Sequence, residues 1–407
     1  MKKSITTIAI AVIIVAIILS LVGCSGSAGS KTTKTSSPAI TGVKTNTIPG
    51  NPWAWGSNTS GVLGNGTMTD TATPVQLSNL TAVITVAAGQ NSSMALKSDG
   101  TVWAWGNNGL GELGNGNNTG SNVPVQVSSL TGITAISVGQ THAMALKSDG
   151  TVWTWGDNTY GELGDGSNNQ SNLPVQASGL TGVTAISAGG GYCLALKSDG
   201  TVWAWGNNTF GELGNGTTTS GNVPVQVNGL SGVISITAGA AHSLALTSDG
   251  TIWAWGYNDD GQFGNGTETD SHVPVHLTDI TGIIAVAAGN SYTLAVKSDG
   301  SVWAWGYDQF GEMGNGSHGG ISTMASTSVE SPVQVTGLTG VTAIAAGIGC
   351  MALKSDGTVW AWGYNLKGEL GDGTTTERDT PVQVSGLTGA VAIAAGTASL
   401  AVVSTSH

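Results

Sequence analysis

Seven copies of a repeat of about 50 residues predict an all-β protein, a seven-bladed β-propeller with four short antiparallel strands per blade. Three observations carry this. The motif Trp-x-Trp-Gly begins at Trp53, Trp103, Trp153, Trp203, Trp253, Trp303 and Trp360, and these pairs use all 14 tryptophans of the chain. The spacing is 50 residues five times and then 57. Each copy holds four short alternating or β-branched runs, separated by Gly, Asn and Asp.

The copy from Trp203 to Gly250 shows the parts in order. Trp203-Ala204-Trp205-Gly206 reads as a strand with both indoles on one face, because strand side chains alternate. Glu212-Leu213-Gly214-Asn215-Gly216 is turn chemistry. Pro224-Val225-Gln226-Val227 reads as a short strand with proline at its first residue, where the missing N–H is tolerated. Val233 to Gly239 is a third run, mostly small and β-branched, and Ser243 to Thr247 a fourth. Asp249-Gly250 then leads into the next tryptophan strand, and Asp-Gly between two alternating runs predicts a type I′ hairpin.

One such sheet cannot bury both faces alone, whereas a ring of them packs each blade on its neighbours. The Ala-Gly-rich runs, such as Ala185 to Gly189, suit the crowded strand at the axis. The tryptophans suit the wider space between blades and are read as core, each burying roughly 4–6 kcal/mol of apolar surface in gross terms. The ends complement one another. The first Trp motif lacks a preceding strand, and Ser399 to Val403 has no Trp motif after it. These two strands are expected to pair in one shared blade, with Pro52 to Gly56 contributing one of them.

The domain reading is 1–23 export signal, 24–51 tether and 52–407 propeller. Lys2 and Lys3 precede an uncharged run from Ser4 to Val22, followed by Leu21-Val22-Gly23-Cys24. This resembles a bacterial lipoprotein signal, which implies cleavage before Cys24 and acylation there. An uncleaved anchor is the other reading, and both place the body outside the cytoplasm, held to a membrane. Residues 25–50 are rich in Ser, Thr, Gly and Lys, as in a flexible tether.

The 24 acidic residues all follow residue 52, while five of the 12 basic ones precede it, so the body carries 7 − 24 = −17. Such a body repels phosphate backbones, so no nucleic acid is expected as a partner. Only 9% of residues are charged and 64 are glycine, which fits a turn-rich protein with an uncharged polar surface. Three cysteines do not make a disulfide framework. Cys193 and Cys350 occupy a repeat position held elsewhere by Ala143 or Ser243 and are read as small buried residues.

Trp-Gly-x-Asn-x-x-Gly-Glu-Leu-Gly, then Pro-Val-x-Val, then Ala-Ala-Gly-x-x-His-x-x-Ala-Leu-x-x-Asp-Gly, resembles the repeat of the RCC1 (regulator of chromosome condensation) family across residues 52–403. The resemblance implies a seven-bladed propeller and says less about activity, since one fold hosts many functions. The family's founding member acts on a nuclear GTPase, which an exported chain does not meet. Its secreted bacterial members include an inhibitor of β-lactamases, which implies protein binding through rim loops. Two departures stand out. The family's Gly-Gln-Leu-Gly glutamine is replaced by Glu112, Glu162, Glu212, Glu312 and Glu369, with Gln262 kept and Val62 in the first copy. The histidine before the Ala-Leu strand survives at His142 and His242, with Tyr192, Tyr292 and Ser92 elsewhere.

Neither a nucleophile elbow nor a phosphate loop nor a His-Glu-x-x-His motif is present. His272 and His276 lie too far apart along a strand to share a metal. The five glutamates are candidate binding residues, for calcium or a basic partner, with hydrogen bonding to turn amides as the plainer reading. Asp99, Asp149, Asp199, Asp249, Asp299 and Asp356 are hairpin turn residues. The insertion from Ser317 to Ser331 breaks the repeat symmetry by length, and its His318, Ile321 and Met324 are candidate partner contacts. The expected function is a monomeric, non-catalytic module without a cofactor, binding an extracellular protein or polysaccharide. A structural surface component and an enzyme acting on extracellular glycans are the alternatives.

Overall fold

A computed structural model describes residues 48–317 and 328–405. The described residues form 28 β-strands and no helix. They build seven blades of four antiparallel strands. The lipid-attachment candidate Cys24, most of the tether, and His318, Ile321 and Met324 of the insertion lie outside the described residues.

Each blade straddles a repeat boundary. In one blade the inner strands Val183–Ala188 and Tyr192–Lys197 come from the repeat that begins at Trp153. The outer strands Val202–Gly206 and Gly221–Gln226 come from the next. Adjacent repeats are therefore stitched by backbone pairing, here Ala195 opposite Trp203 and Leu194 opposite Ala204. The last blade uses the same offset to close the ring. Its innermost strand Ala390–Ala395 pairs with Ala398–Ser404, which pairs with the N-terminal strand Gly50–Gly56, which pairs in turn with Thr71–Gln76. Pro52 faces Val402 and Gly56 faces Ala398, and the pairing runs on to Gly50 opposite Ser404. Gly50 also bridges Val83 of the first blade.

The two indoles of each repeat share a face but not an environment. Trp205 is fully buried against Leu146, Val183 and Cys193, whereas Trp203 is half-buried at the edge of the same cluster. The Ala-Gly-rich strands do line the axis, where backbones meet too closely for a side chain. A Cβ on Gly89 would lie 2.3 Å from the carbonyl oxygen of Gly139, and one on Gly139 would lie 2.5 Å from that of Gly189.

Two local expectations are corrected. The Asp-Gly hairpins are not type I′, because the aspartates keep negative φ and only the glycine is left-handed (Gly200, φ +81°). The amide of Gly200 donates to the carbonyl of Lys197 and that of Lys197 to Thr201, a type I turn followed by a glycine bulge. Asp199 fits this turn because its Oδ1 accepts from both the amide and the hydroxyl of Thr201. Nor does Pro224 begin its strand. The strand starts at Gly221, and Pro224 sits inside it on the outer edge of the blade, next to a register shift where no ladder N–H is needed.

Candidate functional site

The Gly-Glu-Leu-Gly turn is where neighbouring blades lock. The Nε1 of Trp205 donates to the backbone carbonyl of Glu162 at 2.8 Å, and the other six buried indoles do the same to Val62, Glu112, Glu212, Gln262, Glu312 and Glu369. Gly164 has φ +64°, and a Cβ there would lie 2.8 Å from the Trp205 ring nitrogen, so glycine is required for the indole to dock. Asn158 staples the turn from inside. Its Oδ1 accepts from Leu163 N, and its Nδ2 reaches the carbonyls of Ser167 and Asn169.

The five glutamates serve this turn. Each is almost fully buried, between 1% and 3% exposed. Each places Oε2 at 2.8–2.9 Å from the amide two residues earlier: Leu110, Tyr160, Phe210, Phe310 and Lys367 respectively. Their carboxylates face backbone instead of standing on the rim as free ligands. Burial pushes the Glu162 carboxyl up to about 7 and the Glu312 carboxyl up to about 8, and raises Glu212 and Glu369 as well. Among the described residues no group of three or more His, Cys, Asp or Glu is placed to hold a metal ion.

The remaining singled-out residues have structural surroundings. His142 and His242 are buried with Nδ1 unpaired, and burial pulls them down to about 4 and about 3. The Nε2 of His142 lies 3.2 Å from the sulfur of Cys193, and that of His242 lies 3.2 Å from the Thr293 hydroxyl. Cys193 and Cys350 are buried free thiols. His276 stacks on Trp253, with ring centroids 5.1 Å apart.

The strand directions sort the loops onto two rims. One carries the Asp-Gly hairpins, with Lys97, Lys147, Lys197, Lys297 and Lys354 laid over half-buried tryptophans. Lys97 and Lys147 also pair with Asp99 and Asp149. The other rim carries the loops at the axial mouth and the long loops after each tryptophan strand. Backbone bonds tie these together, as from Asn207 N to Gly191 O and from Tyr257 N to Ala241 O. The axial cavity here is about 90 Å³ and is lined by Ala and Gly residues such as Gly89, Gly189 and Gly239, together with Gln90, Gln140, Asn290 and Ile348. It is far below the roughly 300–1,000 Å³ of a small-molecule pocket.

What the long-loop rim offers instead is an arc of aromatic side chains that sequence reading missed. Tyr160 and Phe210 are exposed, and Tyr257, Tyr307, Phe310 and Tyr364 are half-exposed. Phe210 meets Tyr257 edge-on at 4.8 Å and Phe310 meets Tyr364 at 5.0 Å, each pair linking consecutive repeats. Tyr307 lies 6.5 Å from Phe310. The signal was present in two columns of the repeat. The fourth residue past the first tryptophan runs Ser57, Asn107, Asp157, Asn207, Tyr257, Tyr307, Tyr364. The seventh runs Ser60, Leu110, Tyr160, Phe210, Asp260, Phe310, Lys367. Near-identical repeats diverge there, and the aromatics fall in five consecutive repeats, from Tyr160 to Tyr364.

The described residues thus form a closed seven-bladed propeller whose turns are locked by buried groups and whose long-loop rim carries the aromatic side chains. The model of the RCC1-like domain matches residues 43–349 and 178–407, and the chain belongs to that family. Solved structures share the fold. Prp20p from Saccharomyces cerevisiae, described with its binding properties to Gsp1p and histones, is 21% identical over 88% of this chain and 92% of its own, with a TM-score of 0.76. Human WBSCR16 is 23% identical over 88% of this chain and 100% of its own, with a TM-score of 0.77. Yeast RCC1 (Prp20) bound to Kap60 is 21% identical over 95% and 97%, with a TM-score of 0.80. No curated protein matches.

Proposed function

We propose that this chain is an exported, membrane-anchored RCC1-like propeller that acts as a non-catalytic binding module, engaging an extracellular protein or polysaccharide through the long-loop rim. The observation that carries the reading is the divergence of otherwise near-identical repeats at rim positions, where it places exposed aromatic side chains. Exposed aromatics contribute large contact area at low conformational cost, which is why interfaces are rich in them. The relatives' record supports a binding role, since Prp20p is described as binding Gsp1p and histones. The resemblance of residues 1–23, followed by Cys24, to a lipoprotein signal supports an extracytoplasmic setting, and Lys2 and Lys3 support retention of the start inside.

The test has two parts. The full chain, solubilised from the membrane fraction of the producing cells, is used to capture partners from a surface extract. Retention of a defined protein or glycan that is lost from a Phe210→Ala/Phe310→Ala chain supports the reading. Turnover of an extracellular glycan by the chain, or retention indifferent to the rim, overturns it. Mass spectrometry of the membrane-bound chain is expected to show it beginning at an acylated Cys24, and a chain that keeps residues 1–23 refutes the lipid anchor.

A further inference from the structure

We propose that the arc of the long-loop rim from Phe210 to Tyr364 docks a cationic polypeptide segment, one that presents lysine or arginine side chains to the aromatic faces. This rests on the binding-module reading and names its partner's chemistry.

The arc couples aromatic rings to carboxylates. Burial raises the phenols of Tyr257, Tyr307 and Tyr364, and nearby carboxylates add to this: Asp260, Asp259 and Asp270 at Tyr257, the buried Glu312 and Asp260 at Tyr307, and the buried Glu369 with Glu377 at Tyr364, where Lys367 acts the other way. Glu377 Oε1 is buried with no hydrogen-bond partner, so one carboxylate oxygen at the Tyr364 end lacks the donor that burial demands. A cation over an aromatic face gains about 0.5–2 kcal/mol. A cation flanked by a carboxylate also meets its counter-charge.

The charge of the two rims differs. The hairpin rim carries its own five lysines beside its aspartates. The seven long loops contain one Lys or Arg, Lys367, and it pairs with Asp70 at 3.3 Å. Arg378, which opens the strand after the last loop, is held by Asp372 at 2.7 Å. Asp259, Asp260 and Asp270, in the loop that carries Tyr257, thus have no Lys or Arg in that loop, whereas Glu312 is buried on the Phe310 amide and is not a rim charge. A neutral glycan would stack on the rings but would leave these charges uncompensated as it displaced their water. A cationic segment neutralises them and is steered to them from a distance. The first two repeats, with Ser57, Ser60 and Asn107 in the equivalent positions, offer neither rings nor the same charge.

Fluorescence anisotropy with the full chain and a labelled deca-arginine peptide tests this, with deca-glutamate and a neutral chito-oligosaccharide as comparison probes. Deca-arginine is expected to bind, more weakly as salt rises. Phe210→Ala/Phe310→Ala, which leaves net charge untouched, is expected to weaken binding at least tenfold. Asp149→Asn/Asp199→Asn on the hairpin rim is expected to change it less than twofold. Phe210→Leu/Phe310→Leu serves if the alanine chain fails to fold. Equal binding by the aromatic variant and the parent overturns the proposal, because the peptide would then be held by diffuse charge alone. Salt-independent binding of the oligosaccharide that needs the same rings, without peptide binding, also overturns it while leaving the module reading intact. Loss of all probe binding, together with failed capture from surface extract, removes both.

Discussion

The indole Nε1 of Trp205 donates a 2.8 Å hydrogen bond to the backbone carbonyl of Glu162, one repeat earlier, and so ties a blade to its neighbour's turn. The same pairing recurs at every blade junction, including Trp55 to Glu369 across the closure. Trp205→Phe keeps most of the apolar bulk but leaves the buried Glu162 carbonyl only the weak thiol donor of Cys193, at 3.3 Å. A loss of about 1 kcal/mol is expected from that group, read as a lower urea midpoint with little change in the slope of unfolding. A midpoint equal to the parent's would show that the latch contributes nothing.

Ring closure depends on a glycine. A Cβ on Gly50 would lie 2.2 Å from the carbonyl oxygen of Val403, a backbone atom with little freedom to move. Gly50→Val is expected to weaken pairing with Ala398–Ser404. Deleting residues 398–407 removes that strand outright, and the whole ring is then expected to melt earlier in one transition. A truncated chain with an unchanged melting temperature would refute closure by this pairing.

Glu312 makes stability fall with rising pH. Its folded pKa, about 8, lies above the ordinary 4.5 of an exposed glutamate. Its contribution is therefore complete below pH 4.5 and is lost as pH rises through about 8. Gln262 shows that glutamine fits the turn, accepting from Asp260 N at 3.1 Å. Glu312→Gln is expected to match the parent near pH 4 and to exceed it at pH 9, by up to a few kcal/mol. Parallel stability curves for the two chains would contradict the assignment.

The buried histidines act in the opposite sense. His142 and His242 have folded pKa values of about 4 and about 3, below the 6.5 of a free imidazole. Their contribution is complete above pH 6.5 and is lost as pH falls toward those values. His242→Ser, which copies the residue at Ser92, is expected to lower stability at pH 7 by opening a cavity. It should also flatten the acid limb between pH 6.5 and 3, by up to about 1.4 kcal/mol per pH unit. An acid limb of unchanged slope would show that His242 titrates normally.

Most of the fold was legible because repetition amplifies weak local signals. One Trp-x-Trp-Gly segment is ambiguous, but seven at near-constant spacing define a closed radial array, and incomplete ends complete each other. Local turn geometry was less legible. Asp-Gly is compatible with both type I′ and type I-plus-bulge hairpins, and the Oδ1 bonds from Asp199 to Thr201 favour the latter. The edge position of Pro224 was equally hidden, since a four-residue run does not reveal where its strand begins.

The sequence by itself determined the repeat, the number of blades, the pairing that closes the ring and the acidity of the body, since these depend on periodicity and composition. Tertiary structure decided what the glutamates and aromatics do. Glu162 and Tyr160 stand two residues apart, yet the fold buries the carboxylate against the Tyr160 amide and leaves the phenol ring in solvent. Phe210 and Tyr257 lie 47 residues apart in sequence and meet only because the ring sets consecutive long loops side by side. Burial and adjacency of that kind arise from packing between blades, and no single repeat contains them.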